Sequence, residues 1–594
     1  MPRNLTSIPL LLLLLSAIAP QTPLAADLPA AVRQDVQLRA MIDELARSKT
    51  LSLNDLDKPY FISYSSNDAE MSDIRGSLGG LMASSRVHVR QPVVHVRVGN
   101  YSFDNTDSVF ASPARLGPLP LDDNYGVLRT ALWFTTDGLY KAATGEIAAK
   151  RNTLREIAGP DQTPDFAPAQ PNVVIQPAAR LQMDDKRWET IVRNLSARFV
   201  NHPGVVSSSV RMRGISSTLR FVNTEGTIVR VPQELTSLDI TAAGIAADGA
   251  RVWNHRLITV LHPSELPGEN ELRKNVDSVA RETEALVNAP LADDYNGPVL
   301  FEGQAAAALM AEVLTDATRL RRTPVAPSDL RSRVEAIDGV WSSRMGSKVT
   351  PDWLTIVDDP SQKSFGGQVL AGQYDVDEEG VLAQRVTLVD KGTLKSFLLT
   401  RQPVRTFNAS NGHARLPGAW GAEMPVFGNL FIQANQTVPD SQMKSKLIEK
   451  VKTAGLKYGI LIRRLDFPST ANVEELQEMM TQLQKSGTSR SVSAPILAYR
   501  VYPDGREELV RGLRFREFSA KDLRDVEAAS DRPYVLNYVN NGSPFNWIHA
   551  SSDATTSAVI CPSLLFPSVD LARVEGQGSK PPLVPAPALL ARQH

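Results

Sequence analysis

Apolar residues recur every three or four positions in four stretches of the first half of the chain: 32–49, 125–154, 188–199 and 271–290. That is the period of a helix with one buried face. In the third stretch Trp188, Ile191, Val192, Leu195 and Phe199 share one side. Between the helices lie runs that alternate apolar with polar, the period of a half-buried strand: "PYFISYSS" (59–66), "RVHVR" (86–90) and "VVHVRVG" (93–99). "LRFVNTEGTIVRV" (219–231) is two such runs around Asn223 and Gly226, which predicts a hairpin. Past about residue 291 the pattern changes. A short helix over 308–317 precedes mostly strands, and 385–399 and 496–515 each read strand–turn–strand, with Gly392 and Pro503-Asp504-Gly505 in the turns. The stretches 444–462 and 519–529 supply later helices.

This pattern predicts an α+β protein: an N-terminal α/β domain followed by a C-terminal domain dominated by curved antiparallel β-sheet. A length of 594 residues fits two or three domains. The expected boundaries are 27–290 and 291–575, with a proline-rich connector at about 157–180 and a proline-rich tail at 576–594. Residues 1–26 read differently. Arg3 precedes the apolar run "IPLLLLLLSAIA" and then small residues ending at Ala26, the layout of an export signal. The expected location is therefore periplasmic or extracellular, with no integral membrane segment once the signal is removed.

Composition narrows the chemistry. With 64 basic and 65 acidic residues the net charge is −1, so no basic excess exists to neutralise phosphates, and nucleic acid is not an expected partner. Cys561 is the single cysteine, which excludes an internal disulfide and any zinc site built on two or more thiolates. No G-x-S-x-G, G-x-x-x-x-G-K-[ST] or H-E-x-x-H motif is present. His88 and His95 sit beside arginines on alternating strands, where a solvated sheet face is expected. His255 and His262 are seven apart and point to opposite faces of a strand, a poor metal pair. The acidic "GQYDVDEEGV" (372–381) lacks calcium-loop spacing and reads as a charged hairpin tip.

Several stretches taken in order resemble one family: "DWLTIVDDP" (352–360), "YDVDEEGVLAQRVTLVDKGTLKSFLLT" (374–400), "SNGHAR" (410–415), "PVFGNLFI" (425–432) and "GREELVRGLRF" (505–515). Together they look like the C-terminal domain of the TldD/PmbA metalloproteases and their metal-free relatives. "RFVNTEG" (220–226) and the 273–290 helix are similar to the family's N-terminal domain, so the resemblance spans roughly 180–575. It implies dimers enclosing a cavity and, in active members, zinc on a helix bearing H-E-x-x-x-H completed by a cysteine near the C-terminus. Here "LMAEVLTD" (309–316) stands at that place, reading A-E-x-x-x-D. Ala311 and Asp316 occupy the two histidine positions and Glu312 the glutamate. Cys561 resembles the strand after the expected cysteine segment.

Alanine has no lone pair, and hydrolytic zinc generally needs three protein ligands. The expectation is an exported family member without its own zinc site or other cofactor, zinc entering only if that inactive reading fails. It would bind peptide or unfolded protein, as a homodimer or with a related chain. One alternative keeps it an active peptidase with Glu312 and Asp316 as a catalytic carboxylate pair. A third reading is a DNA-associated regulator. The helix itself is expected to be amphipathic, with Ala306, Met310, Val313, Ala317 and Leu320 on its packed stripe and Glu312, Asp316 and Arg319 on a wet side. N-terminal sequencing of exported protein should begin near Asp27; an intact Met1 would refute the signal.

Overall fold

The computed structural model describes residues 28–112, 119–157, 161–334, 339–418, 420–466, 492–540 and 555–574. The export signal and the C-terminal tail lie outside these residues. The N-terminal half is built on one seven-stranded sheet. Its strands run in the order Phe103–Asp104, Gly80–Asn100, Pro59–Ser77, Ser207–Asn223 and Ile228–Ile245. Arg251–Val260 and the short parallel Val173–Ile175 share the far side of Ile228–Ile245. Val173–Ile175 belongs to the proline-rich connector, which thus adds a strand to the sheet.

The first two strands are far longer than the alternation at 59–66 and 86–99 predicts. They continue through "NDAEMSDIRGS", and the Leu78–Gly79 turn closes them with both residues at positive φ, as a two-residue hairpin requires. Pro92 lies mid-strand but opposite Ser66, where Gly80–Asn100 has only one long neighbour, so its missing N–H breaks no ladder. The even-numbered residues Ile62, Tyr64, Ile74, Val210, Met212 and Val222 face one way and are buried under four helices. Val36–Ser48 and Tyr125–Arg155 cover one end, Asp185–Ala197 and Glu269–Asn288 the other. Asp35 caps Val36–Ser48 by accepting from Leu38 N at 3.1 Å, which divides the predicted 32–49 helix in two.

The C-terminal half is a sandwich around one helix. One sheet runs Glu507–Val510, Pro495–Val501, Gly459–Leu465, Tyr295–Phe301, Leu564–Arg573, Leu513–Phe515, with Ala528–Ala529 also on Leu564–Arg573. The other runs Thr393–Leu394, Val386–Asp390, Leu354–Asp358, Asn429–Ala434, Thr555–Cys561, Tyr534–Asn540. Gln304–Ala317 lies between them, in one core with Phe301, Ile460 and Ile462 from the first sheet and Leu430, Ile432 and Val559 from the second. Alternate residues Leu300, Leu461 and Leu565 point outward beneath the helix Met443–Thr453. The helix predicted over 519–529 is only the single turn Asp522–Asp525.

The halves meet through the odd-numbered face of the first sheet, where Leu219, Phe221, Val229 and Val231 pack on Val376. Beside this contact sits a buried ionic joint around Phe166. The Arg97 guanidinium lies 3.8 Å from the Phe166 ring centre and that of Arg401 lies 4.0 Å away. Arg97 pairs with Asp104 at 2.9 Å, Arg401 with Glu225 at 2.6 Å, and Lys150 with Asp165 at 2.7 Å. Arg322 reaches Asp107 at 2.7 Å and Asp165 at 3.3 Å. The acidic loop belongs to this joint and is not an exposed hairpin tip. Asp377 is buried and accepts from the backbone N–H groups of Glu379, Val381 and Ala414, while Glu379 accepts from Arg401 N at 2.6 Å. Sequence alone counts its charges; only tertiary packing supplies the donors that let them be buried.

Burial pushes the Asp107 carboxyl up to about 7, against the pull of Arg322 and Lys150. Its folded value then exceeds the unfolded value of about 3.9, so the folded state holds the proton more tightly. Its contribution to stability is therefore present at acid pH and is lost as pH rises through about 7. Asp107→Asn should remove this slope, because asparagine also tolerates the φ of 54° found here. Between about pH 5 and about pH 8 the wild type should lose on the order of 2 kcal/mol relative to the variant. Denaturation curves that stay parallel across that range would show Asp107 to be charged throughout.

Candidate functional site

The helix Gln304–Ala317 follows the strand Tyr295–Phe301 through Gly303, whose φ of 54° lets the chain reverse into the core. Its sequence is alanine-rich, the strongest helix former, and every residue from Ala305 to Leu314 is buried, Glu312 included. The amphipathic expectation is thus corrected. Ala305, Ala307, Ala308 and Ala311 line the supposed wet side, and these small apolar residues let a second sheet close over it. Arg319, expected in solvent, is 1% exposed.

The three residues that the family resemblance sets at metal-helix positions have separate surroundings. Ala311 presents a buried methyl, and its carbonyl accepts from the Thr315 hydroxyl at 2.6 Å. Glu312 Oε2 accepts from the backbone N–H of Ser493 at 2.8 Å. Asp316, at the half-exposed end of the helix, accepts from Arg319 Nη2 at 2.6 Å and Arg321 Nη2 at 2.9 Å. The two carboxylates that the sequence offers as a pair therefore each engage different donors. Cys561 is buried, its thiol donating to the Pro562 carbonyl at 3.2 Å, and burial pushes its pKa well up, away from the thiolate a metal needs. Among the described residues no group of three or more His, Cys, Asp or Glu side chains could hold a metal ion. The donor set does not fit tetrahedral zinc: one position lacks a lone pair, another carboxylate is neutralised by two guanidiniums, and the thiol stays protonated.

Other polar groups come together at the contact of the two halves and within the C-terminal half. His95 lies 3.5 Å from Glu423 of the hairpin Ala414–Pro417 and Glu423–Pro425. Burial and the Arg97 cation pull its pKa down to about 4, so this contact joins a neutral imidazole to a carboxylate. It is thus not the solvated sheet residue expected, whereas His88 is, exposed and bonded to Asp68 at 2.7 Å. A small cavity beside His95 is lined by Arg97, Asn105, Glu146 and Gly421, the last from the C-terminal half. Nearby in sequence, Arg415 lies over the Tyr374 ring at 3.9 Å, and burial, against Arg415, pushes Glu378 up to about 7. His413 and Asp358 form a fully buried pair at 2.8 Å, and Asp358 also accepts from Gly428 N. The motifs "YDVDEEG" and "SNGHAR" carry these residues, but alternation gives no means of bringing them together. His255 is buried against Trp253, and His262 lies beyond the strand near Glu234.

Residues 295–573 match the family model described as the PmbA/TldA metallopeptidase C-terminal domain. A metalloprotease of Methanothermobacter thermautotrophicus is 24% identical over 200 residues, covering 34% of this chain and 40% of that protein. One of Archaeoglobus fulgidus is 33% identical over 87 residues, covering 15% and 18%. The chain thus matches two fifths or less of the length of these relatives. Among solved structures, a proposed modulator of a DNA gyrase from Thermotoga maritima superposes with a TM-score of 0.56 at 13% identity, covering 90% of this chain and 99% of that one. TldE from Thermococcus kodakarensis gives 0.54 at 12% identity, covering 90% and 100%. These structural likenesses establish the fold: α+β, with the sheet-rich half carrying the matched domain. Residues 295–573 therefore carry the C-terminal domain of the TldD/PmbA family, on a fold that the solved structures share over nine tenths of the chain.

Proposed function

We propose that this protein is an exported, non-catalytic member of the family, holding peptide or unfolded protein or partnering a related metal-bearing chain. The observation that carries the reading is Ala311: at the first ligand position of the family helix a buried methyl takes the place of a donor. Asp316 supports it, since an oxygen held by Arg319 and Arg321 is a poor candidate for a cation. His95 and Glu423, which meet across the two halves, are groups such a protein would offer to a peptide. A DNA-associated regulatory role finds no support in a net charge of −1.

Purified protein should contain no stoichiometric zinc by elemental analysis and should hydrolyse no unfolded protein substrate. Chelator-sensitive proteolysis would overturn the reading. Rebuilding should fail as well. Ala311→His with Asp316→His recreates H-E-x-x-x-H, yet residues five apart on a regular helix are separated by about 140°. Thr315, bonded to the Ala311 carbonyl, resists the distortion needed to bring them together, and the second substitution leaves Arg319 and Arg321 facing a histidine. The double variant should bind zinc weakly at most and remain silent. Tight zinc binding by it would mean that a third ligand is already in place.

A further inference from the structure

The strand Gly80–Asn100 is the last long strand on its side of the N-terminal sheet, and its outer edge is satisfied over only part of its length. Its even-numbered residues turn their backbone N–H and C=O groups outward. Val98 N donates to the Asn105 side chain at 3.0 Å, the Arg90 carbonyl accepts from Leu119 N at 2.9 Å, and Pro92 has no N–H to leave open. Closer to the hairpin turn, Ser84, Arg86 and His88 follow the same alternation, opposite Ile74, Ser72 and Glu70. Among the described residues nothing pairs with their outward backbone groups, and every residue from Met82 to His88 is exposed. The open window has definite ends: the bulge between Arg75 and Gly76 on one side and the covered Arg90 on the other. Sheets usually block such an edge, because a row of open donors and acceptors recruits another strand.

We propose that this window binds an extended stretch of another polypeptide as an added strand, one whose residues alternate apolar with acidic. The main-chain groups of Ser84, Arg86 and His88 supply the ladder. The side chains set the alternation. On the face away from the helices Val87 is 46% exposed and begins an apolar row that continues through Met71, Ile215 and Leu235 on successive strands. An apolar residue of the incoming strand extends that row. On the helix face the outermost side chains are Arg86 and His88, whose acids Glu70 and Asp68 lie one strand further in. An acidic residue on the open side of these two continues the alternation of charge. The same residues disfavour a second copy, since two of these edges paired antiparallel about the window set Arg86 against Arg86 or His88. His95 follows His88 by seven positions, roughly 23 Å at the rise of a strand. The window is therefore a second surface, and it does not rest on the contact of His95 with Glu423.

A fluorescein-labelled heptapeptide alternating valine with glutamate tests it on the full chain by fluorescence anisotropy. Ser84→Pro removes one outward N–H, as Pro92 does naturally, and leaves the ladder to Pro59–Ser77 intact. It should raise the dissociation constant by roughly tenfold with unchanged circular dichroism. Ser84→Ala, which loses only the hydroxyl bonded to Glu189, should stay within about twofold of wild type. A heptapeptide alternating valine with lysine should bind the wild type roughly fivefold more weakly, and Arg86→Glu should reverse that preference. A misfolded variant would lose both peptides instead of exchanging them. Equal affinity of wild type and Ser84→Pro would put the peptide elsewhere, the contact between the halves included, and would overturn this inference while leaving the earlier reading in place. No binding by the wild type, or a preference unaltered in Arg86→Glu, would overturn it as well.

Discussion

A guanidinium taken out of water must be given an acid, and the joint of this molecule contains three such groups. Arg97 is 5% exposed and Arg401 fully buried, while the Arg322 side chain is nearly so. The acids that hold Arg322 and Arg401 come from the other half of the chain: Asp107 and Asp165 for one, Glu225 for the other. Removing one partner of a buried pair costs about 3–5 kcal/mol, although an intact pair contributes little net stability. The joint thus acts chiefly on orientation. A slide of the halves by a few ångströms would strand charges on both sides. Phe166 adds a fixed point, since two guanidiniums lie over one ring contributed by the connector.

The same joint explains what could be read from the sequence and what could not. Helix Glu269–Asn288 and the Asn223–Gly226 turn were legible because periodicity and turn chemistry are local, and the structure places both where the pattern does. Strand length was not. Residues 67–77 are mostly polar, yet they remain in the sheet because both neighbouring strands continue and satisfy their backbone groups. The run Asp377–Glu379 was misread for a related reason. Three consecutive acids indicate solvent unless their donors are known, and those donors, Arg401 N and Ala414 N, lie tens of residues away.

The central helix was legible in place and type but not in environment. Its apolar stripe was real, and the error lay in treating alanine as neutral between core and surface. Ala305, Ala307, Ala308 and Ala311 have little side chain to expose, so hydrophobic patterning gave the second face almost no weight. In a sandwich those same residues permit a helix to sit between two sheets. Glu312 is then a carboxylate in a closed core, tolerable because Ser493 N donates to it. That hydrogen bond accounts for the glutamate's place in the packing without assigning it any chemistry.

Binding a peptide and hydrolysing it make different demands on a fold of this kind. Hydrolysis needs a metal with an open position, and hence donors whose lone pairs are free to converge on one point. Binding needs only polar groups spaced along a concave wall, each able to change partners at small cost. The contact of His95, neutral where it meets Glu423 across the two halves, is of the second kind. The cavity beside His95 is also lined by Arg97 of the ionic joint. On the peptide-binding proposal, the buried ion pairs would hold the shape, and a group such as His95, neutral beside Glu423, would be left to meet the peptide.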